Sequence, residues 1–215
     1  RTLPRFGVSA LETLPPLNPT VDGERSNAIK LIEVINSGGM GEIHAARQKP
    51  LGRRVAVKRL RRNKLTDKHR MALLEEGWIT GRLQHPNIVP VYALGHDDTD
   101  EPAIVMKMIE GVTLRDILDD FELLPDAFGA DSQLESHLEI LIQVCNAVSY
   151  THDRGFIHRD IKPANIMVGE YGEVYLVDWG IATQIAAGLR PLDEDRGVSH
   201  GPEGTPAYMA PEMSA

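Results

Sequence analysis

His158-Arg159-Asp160-Ile161-Lys162-Pro163-Ala164-Asn165, followed beyond a short hairpin by Asp178-Trp179-Gly180, is the stretch whose reading decides the fold. Asp160 can accept a hydroxyl proton, Lys162 brings a positive charge, and Asn165 and Asp178 offer oxygen ligands to a hard cation. Ile166-Met167-Val168 and Val174-Tyr175-Leu176-Val177 flank Gly169-Glu170-Tyr171-Gly172, a strand-turn-strand signal that puts Asn165 and Asp178 on one side. A base, a charge and two oxygen ligands in one segment suit phosphoryl transfer, where positioning and charge neutralisation supply most of the rate.

Upstream, alternation over Ile29 to Ile35 predicts a strand that runs into Asn36-Ser37-Gly38-Gly39-Met40-Gly41-Glu42-Ile43. Glycines between two strands let backbone amides close over phosphates, although a plain hairpin turn has the same signature. The next strand, Arg54 to Leu60, holds Lys58 among apolar residues at period two, so the ammonium points into a half-buried cleft and needs an anion. Met71, Leu74, Trp78 and Ile79 recur at helical spacing between Thr66 and Leu83, and Glu75 and Glu76 both lie on that helix. Two further strands are predicted over Ile88 to Leu94 and Ala103 to Ile109, joined by the acidic turn Asp97 to Glu101, which is read as a solubility feature.

With these pieces in order, the chain resembles the protein kinase family, with its catalytic loop H-R-D-x-x-x-x-N, D-F-G, G-x-G-x-x-G-x-V, V-A-I-K and A-P-E. Trp179 replaces the Phe, Asn36 the first Gly and Ile43 the Val; Val55-Ala56-Val57-Lys58 and Ala210-Pro211-Glu212 match the last two motifs. Asn tolerates left-handed backbone angles, which would preserve the loop at Asn36. The resemblance implies that Lys58 grips the phosphates of ATP and is held by Glu76, with Glu75 as the alternative, while Asp160 and Lys162 serve the transferred group. It implies that Asn165 and Asp178 hold Mg2+. ATP would lie against Ile35, Asn36, Ser37, Gly38, Gly39, Met40, Gly41, Ile43, Ala56 and Met167, with Met106 behind it and Lys107, Met108 and Ile109 offering backbone groups to adenine. Lys162 and Gly204-Thr205-Pro206 resemble the serine/threonine rather than the tyrosine kinases, and the motif wording resembles the bacterial ones. Trp179 is expected to pack beside His158, and Ser199 is a candidate phosphorylation position. A pseudokinase, binding nucleotide or partners without transfer, is the alternative.

The implied fold is α+β and two-lobed: residues 28–110 as a small antiparallel sheet with one helix, and residues 111–215 as a mainly helical lobe. Residues 1–27, with four prolines, read as a linker or juxtadomain arm. In the second lobe, Leu134, Leu138, Leu141, Ile142, Cys145, Val148 and His152 share a helix face and are expected in the core. The family continues beyond A-P-E, so that lobe is expected to be incomplete, Glu212 to lack its partner, and this chain alone to be poorly soluble or partly molten and unable to phosphorylate peptides. The chain starts at Arg1, and a preceding segment is expected.

The composition is that of an ordinary globular chain. Hydrophobic residues make up 42% of 215, and the net charge of −8 argues against nucleic acid as a partner. The basic residues between Arg47 and Arg70 are read as a solvated face. The single cysteine suits a reducing, cytoplasmic location, and no membrane segment is expected within the chain. The expected partner is a protein bearing a Ser or Thr acceptor.

Overall fold

Strict alternation of side chains builds the first half of the molecule. A computed structural model describes residues 8–18, 20–21, 24–25, 28–38, 41–128, 132–186, 190–191, 204–209 and 211. Contacts divide the chain into two compact units. The first holds the described residues up to Arg82 together with Pro90–Ile109; the second holds Leu83–Val89 and the described residues from Glu110 onward.

The first unit is a five-stranded antiparallel sheet with one long helix, the arrangement the sequence implies. Its strands are β1 (Ile29–Ser37), β2 (Gly41–Gln48), β3 (Arg53–Leu60), β4 (Val91–His96) and β5 (Pro102–Lys107), in the order β1-β2-β3-β5-β4, and its helix is α1 (Asp67–Arg82). Val55 and Val57 of β3 face a core with Ala46, Ala103 and Val105, against which Leu17, Ile29 and Leu31 pack. Leu60, of opposite parity, joins Leu73 and Ile104 in a second cluster with Val91 and Leu94. Lys58 shares the parity of Leu60, which is why a charged residue sits on this side of the sheet.

Two stretches carry more structure than the sequence suggested. Pro15–Asn18 dock on the sheet: His96 N–H donates to Pro15 O at 3.1 Å, and Leu17 N–H to His96 O at 3.0 Å. The Asn18 side chain accepts from Ile29 N–H at 2.8 Å and donates to Ile29 O at 3.1 Å. The acidic turn is not merely a solubility feature either, because Asp97 pairs with Arg59 and Glu101 with Arg70. Like-charged runs carry no sequence signal for the specific cations that meet them.

In the second unit, β6 (Gly111–Thr113), β8 (Ile166–Gly169) and β9 (Val174–Leu176) form an antiparallel sheet in the order β9-β8-β6, while β7 (Phe156–Ile157) pairs with β10 (Thr183–Ala186). Helix α2 (Leu114–Asp119) starts with a capping box between Thr113 and Asp116. Helix α3 (Gln133–Asp153) is capped by Ser132, which accepts from Glu135 N–H at 3.3 Å. The Leu83–Val89 segment is tied to α3 and β9: Asn87 Nδ2 donates to Gln143 Oε1 at 2.8 Å and to Val174 O at 3.0 Å.

The face of α3 that reaches the core differs from the expected one. Ser136, Ile140, Val144, Ala147 and Thr151 are buried, whereas Leu134, Leu138, Leu141, Ile142 and Cys145 are exposed among the described residues. The helix is apolar on two faces, and its buried stripe is disguised by two hydroxyl residues. No helix among the described residues is long and apolar enough to cross a membrane.

Candidate active site

Each unit carries its own group of candidate site residues on its own strands. In the first, Lys58 stands opposite Ile43 on β2 and Ile104 on β5. Its Nζ lies 2.5 Å from Glu76 Oε1, with the two side chains only 14% and 9% exposed. Glu76, not Glu75, is therefore the carboxylate at this ammonium. A small cavity beside the pair is lined by Gly41, Lys58, Leu60, His69, Leu73 and Glu76.

The β1–β2 hairpin borders that cavity through Gly41. A Cβ there would stand 2.6 Å from Arg59 O, so only glycine allows β2 to lie this close to β3. Asn36 pairs with Ile43 inside the strand ladder and does not need the left-handed backbone that the sequence comparison suggested. Ser37 pairs with Glu42, and Gly38 N–H donates to Gly41 O at 2.9 Å. Ala56 is buried between Ala45 and Met106 in the sheet. Ile35 is exposed, Ile43 is half-buried, and Lys107 ends β5 ahead of half-buried Met108 and Ile109. Gly39, Met40, Ser199 and Glu212 lie outside the described residues.

The candidate residues of the second unit are organised by a buried, neutral histidine. His158 is 1% exposed, and burial depresses its pKa below the usual 6.5, against smaller opposing effects of the Val177 carbonyl and of Asp178 and Asp160. Asp160 N–H donates to His158 Nδ1 at 3.2 Å, so Nε2 carries the proton and donates to Val177 O at 3.1 Å. One ring thus ties the catalytic-loop candidate to the strand leading into Asp178. Trp179 packs on this histidine as expected, at 4.5 Å between ring centroids, and its indole N–H donates to Leu176 O at 3.3 Å.

Around Asp160 the polar groups converge. Its Oδ2 accepts from Lys162 Nζ at 2.7 Å and Asn165 Nδ2 at 3.0 Å; its Oδ1 accepts from Thr205 N–H at 3.1 Å and Oγ1 at 2.8 Å. Lys162 also donates to Thr205 Oγ1 at 2.7 Å. Burial alone would raise the Asp160 pKa, but Lys162, Thr205 and Asn165 outweigh it and hold the carboxyl below its usual range. Asp160 is therefore an anion at neutral pH. Asn165 Nδ2 also donates to Asp160 O at 2.8 Å, which leaves the amide oxygen as an acceptor turned elsewhere. Val177 N–H donates to Asn165 O at 2.9 Å, bringing Asp178 one residue beyond that bond on a left-handed backbone of φ 63°. Met167 sits on β8 of this unit, opposite Thr113 and Tyr175.

Comparison with known proteins addresses the same stretch. The protein kinase domain matches residues 29–214. The chain belongs to the protein kinase family. Among curated relatives, this kinase chain is 37% identical over 204 residues to the serine/threonine-protein kinase PknD of Chlamydia muridarum, covering 85% of the chain and 22% of that protein. It is 33% identical over 208 residues to the PknD of Protochlamydia amoebophila, covering 88% and 21%. The chain thus spans about a fifth of the length of these relatives.

Thr205 is the residue whose part in the site the sequence reading undervalued. In the sequence, Gly204-Thr205-Pro206 serves as a mark of the serine/threonine class, whereas the Thr205 bonds to both Asp160 and Lys162 join groups 45 and 43 positions apart. Only the short motif could have signalled it.

Proposed function

We propose that this domain transfers the γ-phosphoryl group of ATP to a Ser or Thr hydroxyl of a protein. The observation that carries the reading is the ionised Asp160 carboxylate, with one oxygen on Thr205 and the other on Lys162 and Asn165. The acceptor oxygen bonds to the γ-phosphorus as the bond from that phosphorus to the β–γ bridging oxygen breaks. ADP departs, and the hydroxyl proton passes to Asp160. Lys162, shared between Asp160 and Thr205, stabilises the charge that builds on the transferred group. Lys58, fixed by Glu76, holds the α- and β-phosphates, and Ile35, Ile43, Ala56 and Met167 supply apolar surface for adenine.

Mg2+ commonly uses one or two carboxylates and completes its shell with water and phosphate oxygens, so a pair of protein oxygens is a sufficient donor set. Asn165 and Asp178 fit that requirement, since the Asn165 amide is oriented by Asp160 and Asp178 follows from the same hairpin. When bound there, the ion would neutralise charge on the β- and γ-phosphates.

Incubating the full-length protein with Mg2+, γ-32P-ATP and a basic protein acceptor should place label on serine or threonine after acid hydrolysis. Saturable ATP binding without transfer to any acceptor would favour the pseudokinase alternative and overturn the proposal. The serine/threonine assignment draws further support from the names of the relatives.

A further inference from the structure

Lys58 and Arg59 are neighbours on β3 and project to opposite faces. Arg59 Nε donates to Asp97 Oδ2 at 2.6 Å, with Nη2 making a second contact to the same oxygen. The other Asp97 oxygen accepts from Thr99 N–H at 2.7 Å, Thr99 Oγ1 at 2.6 Å and Glu101 N–H at 3.3 Å, so the turn closes around one carboxylate. At the far end of the turn, Glu101 takes Arg70 in a two-pronged grip, with Nε on Oε2 at 2.8 Å and Nη2 on Oε1 at 2.6 Å. Arg70 belongs to α1, about 9 Å along the axis from Glu76. Two arginines, one on each element that carries a member of the Lys58–Glu76 pair, therefore meet a single rigid turn.

The four side chains are between 11% and 24% exposed, too covered to count as ordinary surface pairs. Burial raises the Asp97 pKa, yet its bonds from Thr99 and the Arg59 charge prevail, and the carboxyl stays ionised at neutral pH. Asn18 Nδ2 lies 3.3 Å from Asp98 Oδ1, bracing the turn from outside. Close packing of α1 completes the clamp: a Cβ at Gly77 would come within 2.9 Å of Leu94 Cδ1 on β4.

We propose that the Asp97–Glu101 turn is a positioning element for the phosphate grip, setting α1 against β3 so that Glu76 meets Lys58. The inference rests on the kinase reading for its catalytic consequence, but the positioning itself can be read without nucleotide. The full-length protein is pulsed with an amine-acylating reagent, and the acylation rate at Lys58 is compared with that at exposed Lys30 by mass spectrometry. Glu101→Gln should raise the Lys58 to Lys30 ratio about threefold or more and lower kcat for phosphoryl transfer about tenfold. The charge swap R70E/E101R should restore both toward wild type, and Asp153→Asn, an exposed carboxylate at the end of α3 in the other unit, should change neither. An unchanged Lys58 ratio in Glu101→Gln, even with a lowered Tm, would make the turn a stability feature alone and overturn the proposal. So would a folded charge swap that behaves no better than the single variant. If wild type transfers no phosphate while the labelling ratios behave as expected, the functional reading fails and the positioning stands.

Discussion

Burial keeps His158 neutral in the fold, and acid should therefore attack the site through it. Its folded pKa lies below 6.5, so the unfolded chain binds more protons as pH falls from that value. The stability it protects is fully present above about pH 6.5 and is lost as pH drops toward the folded pKa. Asp160 acts in a different window, because its depressed carboxyl contributes above the usual 3.8 and loses that contribution only in stronger acid. His85, also pushed down, first by burial and then by Arg154, shares the His158 window. In thermal melts between pH 7.5 and 5, Tm of the full-length protein should fall with a shallower slope in His158→Asn than in wild type; equal slopes would refute the assignment. Lys58→Met tests the candidate residues of the first unit. It keeps the aliphatic stem and removes the ammonium, and kcat/KM for ATP should fall at least about a hundredfold, roughly 2.7 kcal/mol. Unchanged turnover would remove Lys58 from the phosphate grip. Both residues were legible in the sequence, one from a charge inside an apolar strand and one from the His158-Arg159-Asp160 motif. Arg70 and Glu101 were not, because a charge on a polar face has no periodicity that announces its partner.

Among the elements, the helix expected between Thr66 and Leu83 spans Asp67–Arg82, whereas the strand expected over Ile88 to Leu94 runs over Val91–His96. The strand expected over Arg54 to Leu60 spans Arg53–Leu60, and the hairpin predicted after Asn165 forms β8 and β9 in the Ile166↔Leu176 register. Helix α3 was read with the wrong face because both faces carry apolar residues. Its buried stripe includes Ser136, whose Oγ donates to Ser132 O at 3.2 Å, and Thr151, whose Oγ1 donates to Val148 O at 2.9 Å. By satisfying themselves on the helix backbone, these hydroxyls become compatible with the core while still scoring as polar in sequence. Pro15–Asn18 escaped notice for another reason: they bond mainly through backbone groups at the β4 edge, which no side-chain pattern records. A Cβ at Gly95 would stand 2.4 Å from Pro15 O, so Gly95→Ala should push this segment off the edge at a cost of about 1–3 kcal/mol. Hydrogen exchange at the His96 amide, which donates to Pro15 O, should quicken by roughly tenfold in that variant. Unaltered protection would show that the arm does not depend on the missing side chain.

For the whole molecule, the fold class followed from motif order, and the family match over residues 29–214 agrees with it. The chemistry now converges on a single carboxylate oriented by a neutral histidine, a lysine, an asparagine and a threonine. Replacing Asp160 by Asn keeps the shape and removes the proposed proton acceptor. The decisive measurement is single-turnover phosphoryl transfer by the full-length Asp160→Asn variant, with ATP affinity measured on the same sample. Transfer should slow by about 10²–10⁴-fold, the usual contribution of a positioned base, while ATP binding stays within a few-fold of wild type. Transfer at the wild-type rate by Asp160→Asn would contradict the account.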